Sequence, residues 1–379
     1  MESLLLKEKN LPLTIGEPSP HVLLNQIRRS FESGTKVISI NSMFKLTKTE
    51  KAFCNVQLLN DISLQEDVFN WIDMRSSHKN IMSRYLKFDS NLRDKEIPKH
   101  FPARILSGVG PICSGQNIFL FFPFCLGIDG SNLEDYYGIE LIDIWSNIFY
   151  KSVFPCSRHI FDYETQARML SILAGNLDKT IYLASIYHEV GHRVGAWKVS
   201  PTSHENLQVS NFVLDVFGEM ATDSLLVRNL QEFPEVLIFV TLQRLFWFGR
   251  RGFRDNPISA KINQDNDSWL SCLLLNRLTQ GGAVLKNEHK WHLDIEKAKQ
   301  VYLDLTQDIE EIGQKVLKIE TAEHQNQLAL EWMKNEVEWN NEHGFVLPND
   351  LRQIYSKCLP VEEIPHFTPL VEMNHWESL

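Results

Sequence analysis

His188, Glu189 and His192 stand within the stretch Tyr187-His188-Glu189-Val190-Gly191-His192. Two histidines spaced i, i+4 share one face of an α-helix, a single turn apart. Both imidazoles can then reach one metal ion. Glu189 points to the side, where it can meet a water at the metal rather than the metal itself. These residue types at this spacing support metal-assisted hydrolysis, with Glu189 as general base. Fixed positions separated by wildcards also arise by chance on solvated helix faces, so the surroundings carry weight. The segment Asp178 to Tyr187 (DKTIYLASIY) is apolar and free of Pro and Gly. It predicts a helix entering the core, with Asp178 as N-cap and Ile181, Ala184, Ile186 and Tyr187 among its buried residues. Histidines and a glutamate on a buried helix need partners, and a metal with its ligands supplies them.

A closed site needs a third protein ligand. The metzincin extension H-E-x-x-H-x-x-G-x-x-H is followed as far as Gly195 and then broken, because Lys198 stands where a third histidine would be. An ammonium group is a donor only and does not ligate zinc. A second helix is predicted over Asn206 to Leu230, and in it Glu219 and Asp223 lie four apart on one face within an apolar setting of Phe217, Met220, Ala221, Leu225 and Leu226. The pair resembles the E-x-x-x-D element of thermolysin-like gluzincin zinc peptidases, and the resemblance is confined to residues 178–230. It implies Glu219 as the third zinc ligand beside His188 and His192, with an open fourth position. It also implies Asp223 as the hydrogen-bond partner that orients His188. The implied activity is a zinc-dependent hydrolase, a peptidase acting on a peptide or small amide substrate.

A second feature is Phe248-Gly249-Arg250-Arg251-Gly252-Phe253-Arg254, directly after an apolar helix. Arg250, Arg251 or Arg254 could clamp a substrate carboxylate bidentately. They could equally be ordinary cations satisfying carbonyls at a helix C-terminus. The downstream histidines His204, His289 and His292 read as surface or packed residues. The same two histidines and one carboxylate also describe the facial triad of non-haem Fe2+ oxygenases, in which one of these arginines would bind 2-oxoglutarate or another 2-oxoacid. A binding protein with a relic metal site is a further alternative, disfavoured by the presence of Glu189.

The elements that must position these residues follow from the rest of the chain. At 379 residues and 43% hydrophobic, the chain can bury a sizeable core. Its formal charge of -10 argues against nucleic acid as a partner. No apolar run approaches the ~18 residues of a membrane span. The opening MESLLLKEKN lacks a signal pattern, and the scattered cysteines contain no C-x-x-C pair. A cytoplasmic protein is the expectation. The predicted fold class is α+β and predominantly helical: a mixed α/β N-terminal lobe with a short sheet over 1–130, the metal-site helices over 131–260, and a helical C-terminal region over 261–379. Helices are expected at Leu64 to Leu86, Leu133 to Phe149, Asp162 to Leu173, Pro234 to Phe248, Ser268 to Thr279 and Asn349 to Cys358. An outer helical hairpin is expected over Ile295 to Asn341. The aromatic run 117–125 (NIFLFFPFC) predicts a buried strand that Pro123 pushes to a sheet edge, where it could serve as a substrate ledge.

Overall fold

The computed structural model describes residues 19–45, 51–90, 92, 97–115, 117–128, 136–199, 207–250, 253, 265–287, 290–341 and 344–369. Helix α1 (Pro20–Glu32) begins on a proline, which costs a helix start nothing, and buries Leu23, Leu24, Ile27 and Phe31 on one face. Strands β1 (Val37–Lys45) and β2 (Lys51–Asn60) pair antiparallel and turn alternate residues inward, Ile38, Ile40 and Phe44 facing the core with Cys54, Val56 and Leu58. This hairpin falls in a region whose polar segments give little sequence pattern. Where one long helix is expected over Leu64 to Leu86, the chain forms α2 (Ile62–Arg75) and α3 (His78–Tyr85). The break comes at Ser76 and Ser77, where the Ser77 hydroxyl accepts from the Asn80 amide and restarts the helix.

The sheet is completed by β3 (Lys99–Val109), β4 (Phe119–Phe122) and β5 (Tyr137–Leu141), in the order β1-β2-β3-β5-β4. The β3–β5 pair is parallel and the other three are antiparallel. β4 lies at the edge, as Pro123 predicts, but only four residues of the expected run pair. β5 corrects the helix expected over Leu133 to Phe149. Tyr137-Gly138-Ile139-Glu140-Leu141 is fully buried between two partner strands, and helix α4 (Ile142–Ile148) starts only after it. A short run buried on both faces has no strand alternation, so periodicity alone could not distinguish it from helix.

The remainder is helical: α5 (Phe154–Ile160), α6 (Tyr163–Leu173), α7 (Leu177–Gly191), α8 (Asn211–Asn229), α9 (Pro234–Phe246), α10 (Asn266–Gln280), α11 (Ile295–Leu317), α12 (Ala322–Glu336) and α13 (Asn349–Cys358). Short β-hairpins at Val284–Lys286/Trp291–Leu293 and Trp339–Asn340/Gly344–Phe345 interrupt them. Side-chain caps mark many of the starts: Asp162 before α6, Ser210 before α8, Asp265 before α10, Asp294 before α11 and Thr321 before α12. The fold is thus α+β and predominantly helical. α7 lies between the sheet side and the helical side, packing on α2 and α4 in one direction and on α8 and α9 in the other. α9 is buried from Glu235 through Phe246, and each Leu, Ile, Val or Phe removed from water there contributes about 1.5–3 kcal/mol. α11 is less peripheral than its charge suggests, since its stripe Val301, Leu305, Ile309 and Ile312 is buried and the helix packs along α8.

Candidate metal centre

The centre forms where the C-terminal turn of α7 meets the middle of α8. Gly191 permits that approach: a Cβ there would stand 2.8 Å from Thr222 Cγ2 and 3.2 Å from Thr222 Cα. Helix α7 starts at Leu177 rather than at a residue capped by Asp178, whose carboxylate instead accepts from Arg104 and Ser146. The helix ends at Gly191, with His192 as its C-cap. After His192 the chain turns, with Gly195 at φ 83° and the Ala196 amide donating to Glu310. Trp197 then stacks on Phe217 at 4.0 Å and donates to the Ile309 carbonyl. Lys198 is held 2.6 Å from Asp89, which accounts for its type without any ligand role.

His188, His192 and Glu219 come together with one ligand atom from each within 4.8 Å of the others. The two Nε2 atoms face each other at 3.1 Å, and Glu219 presents Oε2 3.7 Å from His188 Nε2 and Oε1 3.6 Å from His192 Nε2. Donors bound ~2.0–2.1 Å from a tetrahedral ion stand about 3.3–3.4 Å apart, so the spacing fits zinc. Each imidazole turns its other nitrogen to an oxygen: His188 Nδ1 lies at ion-pair distance, 3.3 Å, from Asp223 Oδ1, and His192 Nδ1 is hydrogen-bonded to Thr222 Oγ1 at 3.1 Å. Both Nε2 atoms are thereby aimed at the gap between the helices.

Behind this set stands Arg244 of α9, which is 2% exposed. Its guanidinium donates to Asp223 at 2.9 Å, Asp267 at 2.6 Å and Glu219 at 3.4 Å. The guanidinium thus ties two carboxylates of α8 to Asp267 at the start of α10. Burial and neighbouring charges act together on the imidazoles. Burial works against a charge on His188, yet Asp223, Glu219 and Glu189 hold its proton and raise its pKa to about 9. His192 is pushed down by burial and by His188. Burial would raise Asp223, but Arg244 and His188 keep it below the usual carboxylate range. Glu189 is likewise raised by burial and lowered further by His192 and His188, leaving it a carboxylate able to accept a proton.

His188, Glu189 and Glu219 open onto a cavity of about 280 Å³ between α7, α9 and the β3–β5 face of the sheet. Its walls are largely apolar, with Ile118, Phe119, Trp145, Phe239 and Phe248, and its polar positions include His100, Glu140 and Gln243. Phe119 brings edge strand β4 to the cavity. Glu140 is 2% exposed and accepts from Trp145 Nε1, and burial pushes its pKa up to about 8. A larger open depression of about 830 Å³, around Asp61, Arg104, Asp143 and Asp178, contains none of the ligand set.

Arg250 is placed differently from its substrate-clamp expectation. Arg250 is buried and donates to the carbonyls of Cys358 and Val361 and to Cys156 Sγ, so it ties down the end of α13 rather than facing the cavity. Arg251 and Arg254 lie outside the described residues, as do His204 and His289. His292 is packed against Asp162 at 3.0 Å. Thr222, Arg244, Asp267 and His100 were not anticipated. One signal for Arg244 was available: an arginine inside the apolar run VLIFVTLQRLF must find buried carboxylates.

Among solved structures, DPP III from Caldithrix abyssi aligns over 95% of this chain and 68% of its own, with a TM-score of 0.62 and 12% identity. The dipeptidyl-peptidase III from Corallococcus sp. strain EGB aligns over 95% and 66%, with a TM-score of 0.56 and 12% identity. This chain shares their fold. At that identity the likeness is one of fold alone, and the chain spans about two thirds of the length of either structure. No protein-family model and no curated protein matches the sequence. Among the described residues, no helix is long and apolar enough to cross a membrane.

Proposed function

We propose that this chain is a zinc-dependent peptidase, with His188, His192 and Glu219 as metal ligands and Glu189 as general base. The observation that carries the reading is the triad's spacing, with each second imidazole nitrogen facing an oxygen, beside a carboxylate that opens into the same cavity. Zinc held there would polarise the scissile carbonyl and make a water acidic near neutral pH. Glu189 takes a proton from the attacking water as the new C–O bond forms. It passes that proton to the departing nitrogen as the C–N bond breaks, giving a carboxylic acid and an amine. Asp223 and Thr222 fix the ligand imidazoles, and Arg244 holds Asp223 and Glu219 in place. The apolar walls limit water around the reacting groups and strengthen the electrostatics of the centre.

Within this reading, removal of dipeptides from a free N-terminus is the specificity that the shared fold supports. Arg250 does not serve the 2-oxoacid oxygenase reading, since its guanidinium is taken up by carbonyls at α13; Arg251 and Arg254, the other candidates for that role, lie outside the described residues. The test is mass spectrometry of products from a set of short peptides, offered with free and with acetylated N-termini, before and after treatment with a chelator. Dipeptides released from the free peptides only, lost with the chelator and restored by zinc, are expected. Cleavage that ignores both acetylation and chelation would refute the proposal.

A further inference from the structure

Two polar side chains facing the cavity have buried atoms with no hydrogen-bond partner. His100 on β3 is 7% exposed, and neither ring nitrogen is bonded. Gln243 on α9 is 9% exposed, and its Oε1 has no donor. Both line the space shared with His188, Glu189 and Glu219, His100 from the sheet side and Gln243 from the helical side. Glu140, the other polar group of the sheet wall, is already engaged by Trp145 Nε1.

His100 is held firmly even though its nitrogens are open. Its ring stacks on Phe119 at 5.6 Å and 23°. Gly138, opposite it across the β3–β5 pairing, leaves the room this stack needs, since a Cβ there would stand 2.2 Å from Phe119 Cζ and 3.2 Å from His100 Cε1. The His100 carbonyl accepts from the Tyr182 hydroxyl, which joins this strand to α7. Burial pushes the imidazole pKa down to about 4, so at neutral pH it carries one N–H donor and one bare acceptor nitrogen. Buried polar atoms left unpaired destabilise a fold, and a fixed donor and acceptor on opposite walls complement the C=O and N–H of a peptide backbone.

We propose that His100 and Gln243 are substrate-binding residues: the His100 N–H donates to a carbonyl oxygen of a peptide lying in the cavity, and Gln243 Oε1 accepts one of its N–H groups. The proposal rests on the peptidase reading for its ligand class, and it assigns the polar contacts that orient the chain beside Glu189.

The test uses zinc-loaded full-length protein and two probes in calorimetric titrations. Acetohydroxamate offers only a zinc-binding group, whereas a dipeptide hydroxamate adds backbone C=O and N–H groups. His100→Phe and Gln243→Leu each remove the polar atoms while filling the space with apolar ones. Both variants are expected to hold zinc and acetohydroxamate like the wild type, and to bind the dipeptide hydroxamate at least tenfold more weakly. Unchanged dipeptide hydroxamate affinity overturns the assignment, as does an equal weakening for both probes. A wild type that gains nothing from the dipeptide groups overturns it as well. Should His100→Phe fail to fold, Gln243→Leu carries the same comparison. Because binding needs no turnover, a wild type that discriminates the probes but cleaves no peptide refutes the peptidase reading while the two contacts stand.

Discussion

Glu219 is the residue on which the metal assignment turns, because the histidines alone leave a divalent ion short of protein ligands. We predict that Glu219→Ala lowers zinc affinity by well over a hundredfold, measured by competition with a chelator, with the fold retained. Arg244→Lys should weaken zinc by about tenfold to a hundredfold, the range for a residue that orients ligands, because lysine cannot span Asp223, Asp267 and Glu219 together. Tight, stoichiometric zinc on Glu219→Ala would remove the third ligand from the account. His188, Glu189 and His192 were legible as a local helical spacing, and Glu219 with Asp223 as a second one. Thr222 and Arg244 were not, since their roles depend on how α7, α8 and α9 come together, and no spacing along one helix records that.

The centre depends on α7 and α8 meeting closely at Gly191. We expect Gly191→Ala to push Thr222 away from His192, because the added carbon would lie 2.8 Å from Thr222 Cγ2 with the α8 backbone directly behind it. Zinc affinity should fall by about tenfold or more, and thermal stability should fall by roughly 1–3 kcal/mol, the usual effect of overpacking. An alanine variant indistinguishable from wild type in zinc titration and in melting would show that the approach is not tight. Most helices could be read from amphipathic patterns and capping residues, and α13 spans the predicted Asn349 to Cys358. The sheet was harder to read. β1 and β2 alternate in burial, but the exposed Val37, Met43 and Phe53 blur that pattern in the sequence, and β5 is buried on both faces, so its context in the sheet overrides any local preference. The strand expected over 117–125 shortened to Phe119–Phe122 because Pro123 cannot continue the ladder.

At the scale of the molecule, a mixed sheet on one side and a helical assembly on the other enclose α7, and the cavity lies along their junction. Enclosure has a consequence for stability through Glu140. Burial raises this carboxyl from an ordinary 4.5 to about 8. Its contribution is therefore fully present below pH 4.5 and is lost as pH rises toward 8, where the unfolded chain has released a proton that the folded chain still holds. Glu140→Gln keeps an acceptor for Trp145 and cannot ionise. It should melt a few degrees above wild type at pH 8 and close to it near pH 5, as followed by circular dichroism. A difference that does not change with pH would show that Glu140 is not buried as an acid. The overall class, α+β and mostly helical, was readable from composition and periodicity. The pairing order of the strands and the cavity between the two sides depend on long-range contacts, which one sequence does not display.

The central claim is that Glu189 acts as a base beside a metal held by His188, His192 and Glu219. Its most direct test is peptide hydrolysis by Glu189→Gln against wild type, with zinc content measured on the same samples. The account predicts equal zinc in both proteins and turnover reduced by about 10²–10⁴-fold in the variant. A zinc-loaded Glu189→Gln that cleaves peptides at the wild-type rate would contradict it.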